Sequence, residues 1–354
     1  MKIHELRKKI DAIDSQILDL LNRRAEIVIE VGEEKAQEGL DYYVPQREEE
    51  IYDRLTQENR GPFPTSAIKA VFREILSACL SLEHPLRVAY LGPEATFTHL
   101  ACMERFGLST QFLPVRNIAA VFSEVEKGNA DYGVVPIENS SEGVVSHTLD
   151  MFVDSELKIC GEIHLNISHN LLSRSGDLKQ VSKVYSHPHA IAQSKKWLEA
   201  NLPNVVLFEV GSTAAAAELA AEDGSVAAIA SELAADLYGL KVICRRIEDN
   251  PRNFTRFLVV SKKAAAPTGD DKTSIVVSIK DRVGALYRML EPFAKNNINL
   301  TKIESRPSKQ KAWEYVFYVD FEGNVEEERV KRALAAVKED CLFLKVLGSY
   351  PKGS

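Results

Sequence analysis

Along residues 1–38, Leu6, Ile10, Ile13, Ile17, Leu20, Ile27 and Val31 recur at alternating steps of three and four, and Arg24 stands in the step between Leu20 and Ile27. That period predicts one long helix with an apolar seam. At ~1.5 Å per residue the helix spans roughly 50 Å, too long to bury its seam on short neighbours from its own chain, so a second copy of the chain is expected against it. Gly39 ends this helix, Pro45 opens another near 46–58, Gly61-Pro62-Phe63-Pro64 breaks the chain, and a third helix is expected near 65–83, before Pro85.

From Arg87 the rhythm changes. Short apolar runs at 87–91, 132–137, 183–185, 205–210, 226–229 and 257–260 alternate with helices rich in small residues. Strands alternating with helices predict an α/β architecture with parallel pairing, long enough for two lobes. Residues 264–271 read as a linker. Beyond it the pattern is strand 273–279, helix 284–295, strands 298–305 and 313–320, helix 326–338 and strand 342–348, a βαββαβ unit of ferredoxin-like type. The expected domains are 1–85, 86–263 and 272–354.

Composition narrows the function. The 354 residues are 45% hydrophobic and 27% charged, the net charge is −7 and there is no Lys/Arg tract. These totals argue against nucleic acid or an anionic membrane as a partner. The five cysteines, Cys79, Cys102, Cys160, Cys244 and Cys341, are scattered and contain no CxxC. They read as reduced thiols of a cytoplasmic protein, not as a disulfide framework or a zinc site.

Arg24 is the first chemical signal, because a charge on an apolar seam is expensive unless paired. Lys35 follows eleven residues later, about three turns on the same face. Arg7 precedes Arg24 by seventeen residues, some 25 Å away on a different face. If the three serve one site, Arg7 comes from a partner chain. Arg47 and Glu48 follow Pro45. Taken singly, any such arginine is more often a snorkelling or structurally paired residue; as a set they suit a ligand with two carboxylates. The pattern Leu6-Arg7, Arg24, Lys35, Arg47-Glu48 resembles the all-helical chorismate mutases, which are intertwined dimers and catalyse a pericyclic rearrangement without a nucleophile. The resemblance implies that Arg7 (from the partner), Arg24 and Arg47 hold carboxylates, that Lys35 donates to the ether oxygen, and that Glu48 accepts from the substrate hydroxyl. Glu83 falls where enteric members place a second ether-oxygen donor, Gln. A carboxylate donates only when protonated, so mutase activity is expected to fall as pH rises. Val44 and Cys79 replace polar residues of some relatives.

In the α/β region the strand-to-helix joints carry hydroxyls and free N–H groups: 92–98, 136–141, Ser186-His187-Pro188 and Gly211-Ser212-Thr213. Such joints attract anions at the strand ends of open sheets, although a single Ser or Thr there is usually an N-cap. There is no Walker loop, GxGxxG or Ser/His/Asp order. The strings Val135-Pro136-Ile137-Glu138-Asn139-Ser140, Ser186-His187-Pro188 with Gln193, and Asn253-Phe254-Thr255-Arg256-Phe257 resemble the prephenate dehydratases, whose fold is two α/β lobes around a cleft, like a periplasmic binding protein. The resemblance implies that Thr255 assists the leaving hydroxyl, that Arg256 anchors a carboxylate or holds the lobes together, and that Glu138, Asn139, Ser140, Ser186, Gln193, Ser212 and Thr213 line the cleft. Ala95 stands where Gly is common, and a positive φ there would strain it.

In the last region, Gly284-Ala285-Leu286 and Glu304-Ser305-Arg306-Pro307 resemble the phenylalanine-binding ACT domains, which pair side by side. Gly284, Ala285, Leu286, Glu304 and Ser305 are then expected at an allosteric phenylalanine site. Together the resemblances imply a two-activity enzyme converting chorismate to prephenate and then to phenylpyruvate, inhibited by phenylalanine, as a homodimer or homotetramer. No metal or organic cofactor is implied. Two other readings stay open: a dehydratase whose helical region has weak mutase activity or only dimerises, suggested by Val44, Cys79 and Glu83, and a non-enzymatic two-lobed sensor.

Overall fold

The computed structural model describes residues 2–280, 282–307 and 315–353. Asp281, and residues 313 and 314 of the strand expected at 313–320, lie outside them. Residues 1–87 with 103–111 form one compact unit, and 88–102 with 112–354 form the other.

The first unit is built on three helices, α1 (Lys2–Glu38), α2 (Pro45–Glu58) and α3 (Thr65–Glu83). Pro45 sits in the first turn of α2, where its missing N–H costs nothing. The C-terminal part of α1 packs on α3. Gly32 is the buried residue of α1, and a Cβ there would come within 3.2 Å of the Glu83 Cβ. A glycine inside a helix costs ~1 kcal/mol relative to alanine; here it permits the close approach that places Glu83 beside Lys35. The rest of the seam is uncovered: Leu6, Ile10, Ile13, Ile17, Leu20 and Ile27 are each at least half exposed.

The chain continues with β1 (Arg87–Leu91), α4 (Phe97–Phe106), β2 (Gln111–Val115), α5 (Ile118–Lys127), β3 (Tyr132–Asn139), β4 (Gly143–Val144), α6 (Ser146–Asp154) and β5 (Lys158–Asn166), the second half of α4 belonging to the first unit. A second lobe follows: β6 (Asn170–Ser173), β7 (Lys183–Ser186), α7 (Pro188–Gln193), α8 (Lys195–Asn201), β8 (Val206–Glu209), α9 (Thr213–Glu222), β9 (Val226–Ala230), α10 (Glu232–Tyr238) and β10 (Lys241–Cys244). The chain then returns to the first lobe as β11 (Phe254–Ser261). The sheet orders are β2-β1-β3-β11-β5, with β4 on β3, and β10-β6-β9-β7-β8. The expected parallel pairing holds for β1 on β3 and for β7 on β8 and β9, but β11 runs antiparallel to β3 and β5, and β6 antiparallel to β9 and β10. The double crossing between lobes causes this: each returning strand enters its sheet from the crossover end. The crossovers are tied by Ile167 N–H to the Asn253 carbonyl (2.7 Å) and Ile247 N–H to the His169 carbonyl (2.8 Å).

The last part is β12 (Asp271–Ile279), α11 (Ala285–Lys295), β13 (Leu300–Pro307), β14 (Tyr315–Glu322), α12 (Glu328–Asp340) and β15 (Cys341–Pro351), in sheet order β13-β14-β12-β15. This is the ferredoxin-like βαββαβ arrangement. Alternation along the strands gives the sheet two apolar faces. Ile275, Val277, Val319 and Phe321 pack under α11 and α12. Val276, Val316, Tyr318, Leu347 and Tyr350 instead join Ile137, Phe152, Ile159 and Leu258 in one core with the first lobe.

Candidate functional sites

In the helical unit, Lys35 Nζ donates to Glu83 Oε2 at 2.8 Å and to the Tyr42 carbonyl at 3.0 Å. Glu48, on the first turn of α2, accepts from Tyr43 Oη at 3.3 Å, and burial pushes its carboxyl up to about 6 against the opposing pull of Arg105. Arg24 Nη1 is buried and, among the described residues, has no hydrogen-bond partner, a costly state for a guanidinium and one that a ligand carboxylate would relieve. Arg47 is exposed and paired with Glu50 at 2.9 Å. Arg7 is exposed and far along α1 from Arg24. Thus Lys35 and Glu83 meet within one chain, and Arg7 does not join them.

At the junction of the two lobes the side chains form a chain of hydrogen bonds. Asn139, at the end of β3, has its Oδ1 taken by the N–H groups of Ser141 (2.8 Å) and Glu142 (3.0 Å). Its amide NH2 is therefore turned the other way, donating to Thr255 Oγ1 (2.8 Å) and Asn253 Oδ1 (2.9 Å). Thr255 accepts there, and its own proton is available for a second partner. Asn253 Nδ2 continues to Gln193 Oε1 (2.8 Å), which also contacts His169 Nε2 at 2.8 Å. Gln193 Nε2 donates to Glu142 Oε1 at 3.0 Å. Burial lowers the pKa of His169, so the ring is neutral and donates from Nε2. Asn139 and Thr255 come from the first lobe and Gln193 from the second, with Asn253 on the crossover between them.

Several expected cleft residues have protein partners of their own. Ser140 fastens the crossover, donating to the Arg252 carbonyl (3.3 Å) and accepting from Phe254 N–H (2.9 Å). Ser186 is fully buried and gives its proton to the Ile229 carbonyl at 2.6 Å, joining β7 to β9. Ser212 caps α9, accepting from Ala215 N–H, and Thr213 is buried in the first turn. Glu138 and Arg256 each adjoin a network residue in sequence, but strand alternation sends them to the opposite face. Arg256 is buried and its donors are used by protein groups: Nε by Glu162 (2.7 Å), Nη1 by Asp320 (2.7 Å) and Glu138 (3.2 Å), Nη2 by Tyr350 Oη (3.0 Å). It therefore ties the first lobe to the last domain and has no spare fork for a substrate carboxylate. Glu138 is shared by Arg256 and Lys302.

Sequence reading did not single out Asn253, His169 or Glu142. Asn253 stood in the quoted string, but its role depends on two distant partners. Isolated His and Glu carry no local signal.

At the ferredoxin-like domain, Gly284 has φ 77° and precedes the first turn of α11, where Ala285 is half-buried and Leu286 exposed. Glu304 and Ser305 alternate on β13, so Glu304 shares a face with its ladder partner Tyr318, and Ser305 with Phe317. The two cannot both face one ligand from the same side of the strand.

Three family models match the chain in succession: chorismate mutase type II at residues 6–84, prephenate dehydratase at 88–265 and the ACT domain at 273–339. A bifunctional chorismate mutase/prephenate dehydratase from Aquifex aeolicus is 55% identical over 99% of this chain and 98% of its own length. One from Stutzerimonas stutzeri is 44% identical over the same shares. The crystal structure of a prephenate dehydratase in complex with L-Phe from Arthrobacter aurescens is 38% identical with a TM-score of 0.71, covering 75% of this chain and 90% of that one. The readings as a dehydratase alone or as a non-enzymatic sensor are not favoured. The chain belongs to the bifunctional chorismate mutase/prephenate dehydratases, with both activities and an ACT regulatory domain on one polypeptide.

Proposed function

We propose that residues 1–85 rearrange chorismate, 86–263 convert prephenate to phenylpyruvate, and 272–354 bind phenylalanine and lower the dehydratase rate. For the first step, the unpartnered Arg24 Nη1 and the Lys35–Glu83 pair support a dianion site. Arg24, Arg47 and Arg7 of the partner subunit hold the carboxylates. Lys35, oriented by Glu83 at 2.8 Å, stabilises charge growing on the ether oxygen, and Glu48 accepts from the substrate hydroxyl. Catalysis is then restraint of a compact substrate plus oriented donors. The uncovered α1 seam supports a homodimer completed at this site; the ACT domains give a second surface that would extend it to a tetramer.

In the second step, the electrons of the ring-to-carboxylate bond enter the ring as carbon dioxide leaves, and the ring carbon–oxygen bond breaks. The observation that carries our assignment is the orientation of Asn139, which leaves the Thr255 proton free for the departing hydroxyl. A threonine is a weak acid, so Thr255 acts as an oriented hydrogen-bond donor. Asn139, Asn253 and Gln193 hold it across the lobe junction.

For regulation, Gly284, Ala285 and Leu286 supply backbone groups for the carboxylate of phenylalanine, with Glu304 and Ser305 beside the joint. The L-Phe complex of the Arthrobacter aurescens dehydratase supports this. The five free cysteines suit a cytoplasmic enzyme. No helix among the described residues is long and apolar enough to cross a membrane.

The test is a coupled assay of the purified chain, following chorismate loss and phenylpyruvate appearance with and without phenylalanine. Both signals, with the second suppressed by phenylalanine, are expected. Phenylpyruvate insensitive to phenylalanine would remove the regulatory assignment.

A further inference from the structure

Two neighbouring rungs of the β3–β11 ladder face opposite ways. Asn139 pairs with Thr255 and Glu138 with Arg256. The first rung is joined side chain to side chain at the lobe junction (2.8 Å). The second is joined by Arg256 Nη1 and Glu138 Oε1 (3.2 Å) on the face covered by the ACT sheet. Any displacement of the Glu138–Arg256 rung therefore moves the backbone that carries Asn139 and Thr255.

The ACT domain holds that second rung by charge. The catalytic domain contributes Glu138, Glu162 and Arg256, an excess of one negative charge. The ACT domain contributes Asp320, Lys272 and Lys302, an excess of one positive charge. Lys272 reaches Glu162 at 2.8 Å, Asp320 reaches Arg256 at 2.7 Å, and Lys302 contacts Glu138. Neither half is neutral alone: Arg256 and Glu162 pair within the catalytic half at 2.7 Å, and the ACT half supplies the charge that balances Glu138. Asp320 is fixed further by Ser274 Oγ at 2.6 Å. Lys302 lies on β13 two residues before Glu304, a separation of about 7 Å along a strand. Its ladder partner on β14 is Asp320. One strand pair of the ACT domain thus carries two of the proposed effector residues, Glu304 and Ser305, and the two groups that grip the catalytic rung.

We propose that Lys302 and Asp320 are positioning residues for the dehydratase reaction, and that phenylalanine is read at Thr255 through their grip on the Glu138–Arg256 rung. This rests on the assignments of Thr255 and of the phenylalanine site made above. Effector binding that shifts β13 against β14 changes the partners of Glu138 and Arg256. The rung moves with them, and the Asn139–Thr255 geometry changes on the other face. The coupling needs no contact between phenylalanine and the cleft, only two arrangements of one strand pair that the effector distinguishes.

The experiment uses the full chain with Lys302→Met, Asp320→Asn and the conservative Lys302→Arg. Phenylalanine affinity is measured by calorimetry, and kcat and KM for prephenate are measured across phenylalanine concentrations. In Lys302→Met and Asp320→Asn, affinity within about threefold of wild type is expected while the fold-inhibition at saturating phenylalanine shrinks by ~10-fold or to none, the usual range of allosteric coupling being ~5–150-fold. Lys302→Arg, which keeps the charge, is expected to restore inhibition, a result that lost folding stability would not give. Unchanged inhibition in both charge-removing variants would overturn the proposal. So would loss of phenylalanine binding in either, which would place the residue in the effector site itself. Wild-type chain that binds no phenylalanine would instead overturn the regulatory assignment, and this relay with it. Wild type that binds and is inhibited, with variants that are inhibited equally, would overturn the relay alone.

Discussion

Lys35 Nζ lies 2.8 Å from Glu83 Oε2, so the two groups assigned to the ether oxygen of chorismate face one another across the α1–α3 contact. In this pair Lys35 donates and Glu83 accepts. Glu83→Gln, which always has N–H groups to give, supplies a second donor that the accepting carboxylate does not, and should raise the mutase rate. The measurement is chorismate loss by both proteins at one pH. A rate at or below wild type in Glu83→Gln would remove Glu83 from the chemistry. Lys35→Ala deletes the remaining donor and should lower the rate ~10²–10³-fold.

Glu48 sets the acid side. Burial raises its carboxyl from 4.5 to about 6. The ionised form is the better acceptor for the substrate hydroxyl, so activity should rise as pH climbs through about 6. Glu48→Gln should lose that limb. Stability has the opposite sign. A folded value above the unfolded one means that the folded state binds the proton more tightly, so the contribution is present below 4.5 and is lost as pH rises through about 6. Glu48→Gln should then melt higher than wild type at neutral pH and show no such gain near pH 4. Thermal melts at the two pH values check this.

Asn253 is buried and touches Asn139, Gln193 and Ser141 through one amide. Asn253→Ala removes the link between the lobes and frees the Asn139 amide to turn from Thr255. We expect the dehydratase kcat to fall by ~10² or more, as for loss of an oriented donor, at a stability cost of about 1–3 kcal/mol. Chorismate loss by the same preparation should be unchanged, which separates a site defect from misfolding. Equal loss of both activities would sink the assignment.

The three helices of the first unit were legible because a period of 3.6 residues is written in long runs and punctuated by Gly39, Pro45 and Pro64. Arg24 was legible as a charge on that seam. The ferredoxin-like unit was legible too, each strand and helix being bounded by turn residues. The strands β2, β5, β6 and β10 were not. β5, for example, is buried on both faces from Ile159 to Ile163 yet contains Glu162 there, so it shows neither clean alternation nor an apolar run. The Glu162 charge makes sense only beside Arg256 and Lys272, which are distant in sequence. The same holds at the dehydratase site. The string around Thr255 marked the place, but which neighbour faces the cleft depends on strand register. Thr255 and Asn139 fall on one face, Arg256 and Glu138 on the other. Local sequence names both pairs and does not say which is which.

Ala95 occupies the left-handed region, φ 63°, with its methyl fully buried. That backbone costs a non-glycine residue ~1–2 kcal/mol. Against this, the buried methyl contributes ~0.8 kcal/mol, and a glycine would lose ~0.4–1 kcal/mol more through the freedom of the unfolded chain. The terms nearly cancel, so Ala95→Gly should change stability by less than about 1 kcal/mol. Ala95→Val adds β-branching at positive φ and overfills a closed site, and should cost about 2–3 kcal/mol or more. Denaturant melts of the two variants distinguish them; a large loss in Ala95→Gly would mean that the loop depends on the methyl.

Ile17 stands mid-way along the uncovered part of α1, half exposed, with Ile10, Ile13 and Leu20 beside it on the seam. A solvated helix of that length is only marginally stable alone, and an apolar stripe left in water is an association surface. A second copy covering the seam would also bring Arg7 of the partner subunit to the Arg24 site, which the chain's own Arg7 does not reach. Ile17→Glu places a charge in the middle of that contact. We expect light scattering to show a smaller assembly, amide exchange in α1 to quicken, and chorismate loss to fall at least ~10²-fold as the carboxylate anchors separate. Phenylpyruvate formation from supplied prephenate should persist, because Thr255 and its network lie wholly within one chain. An unchanged assembly with full mutase activity would mean that the seam serves another purpose and that Arg7 has no part in the site.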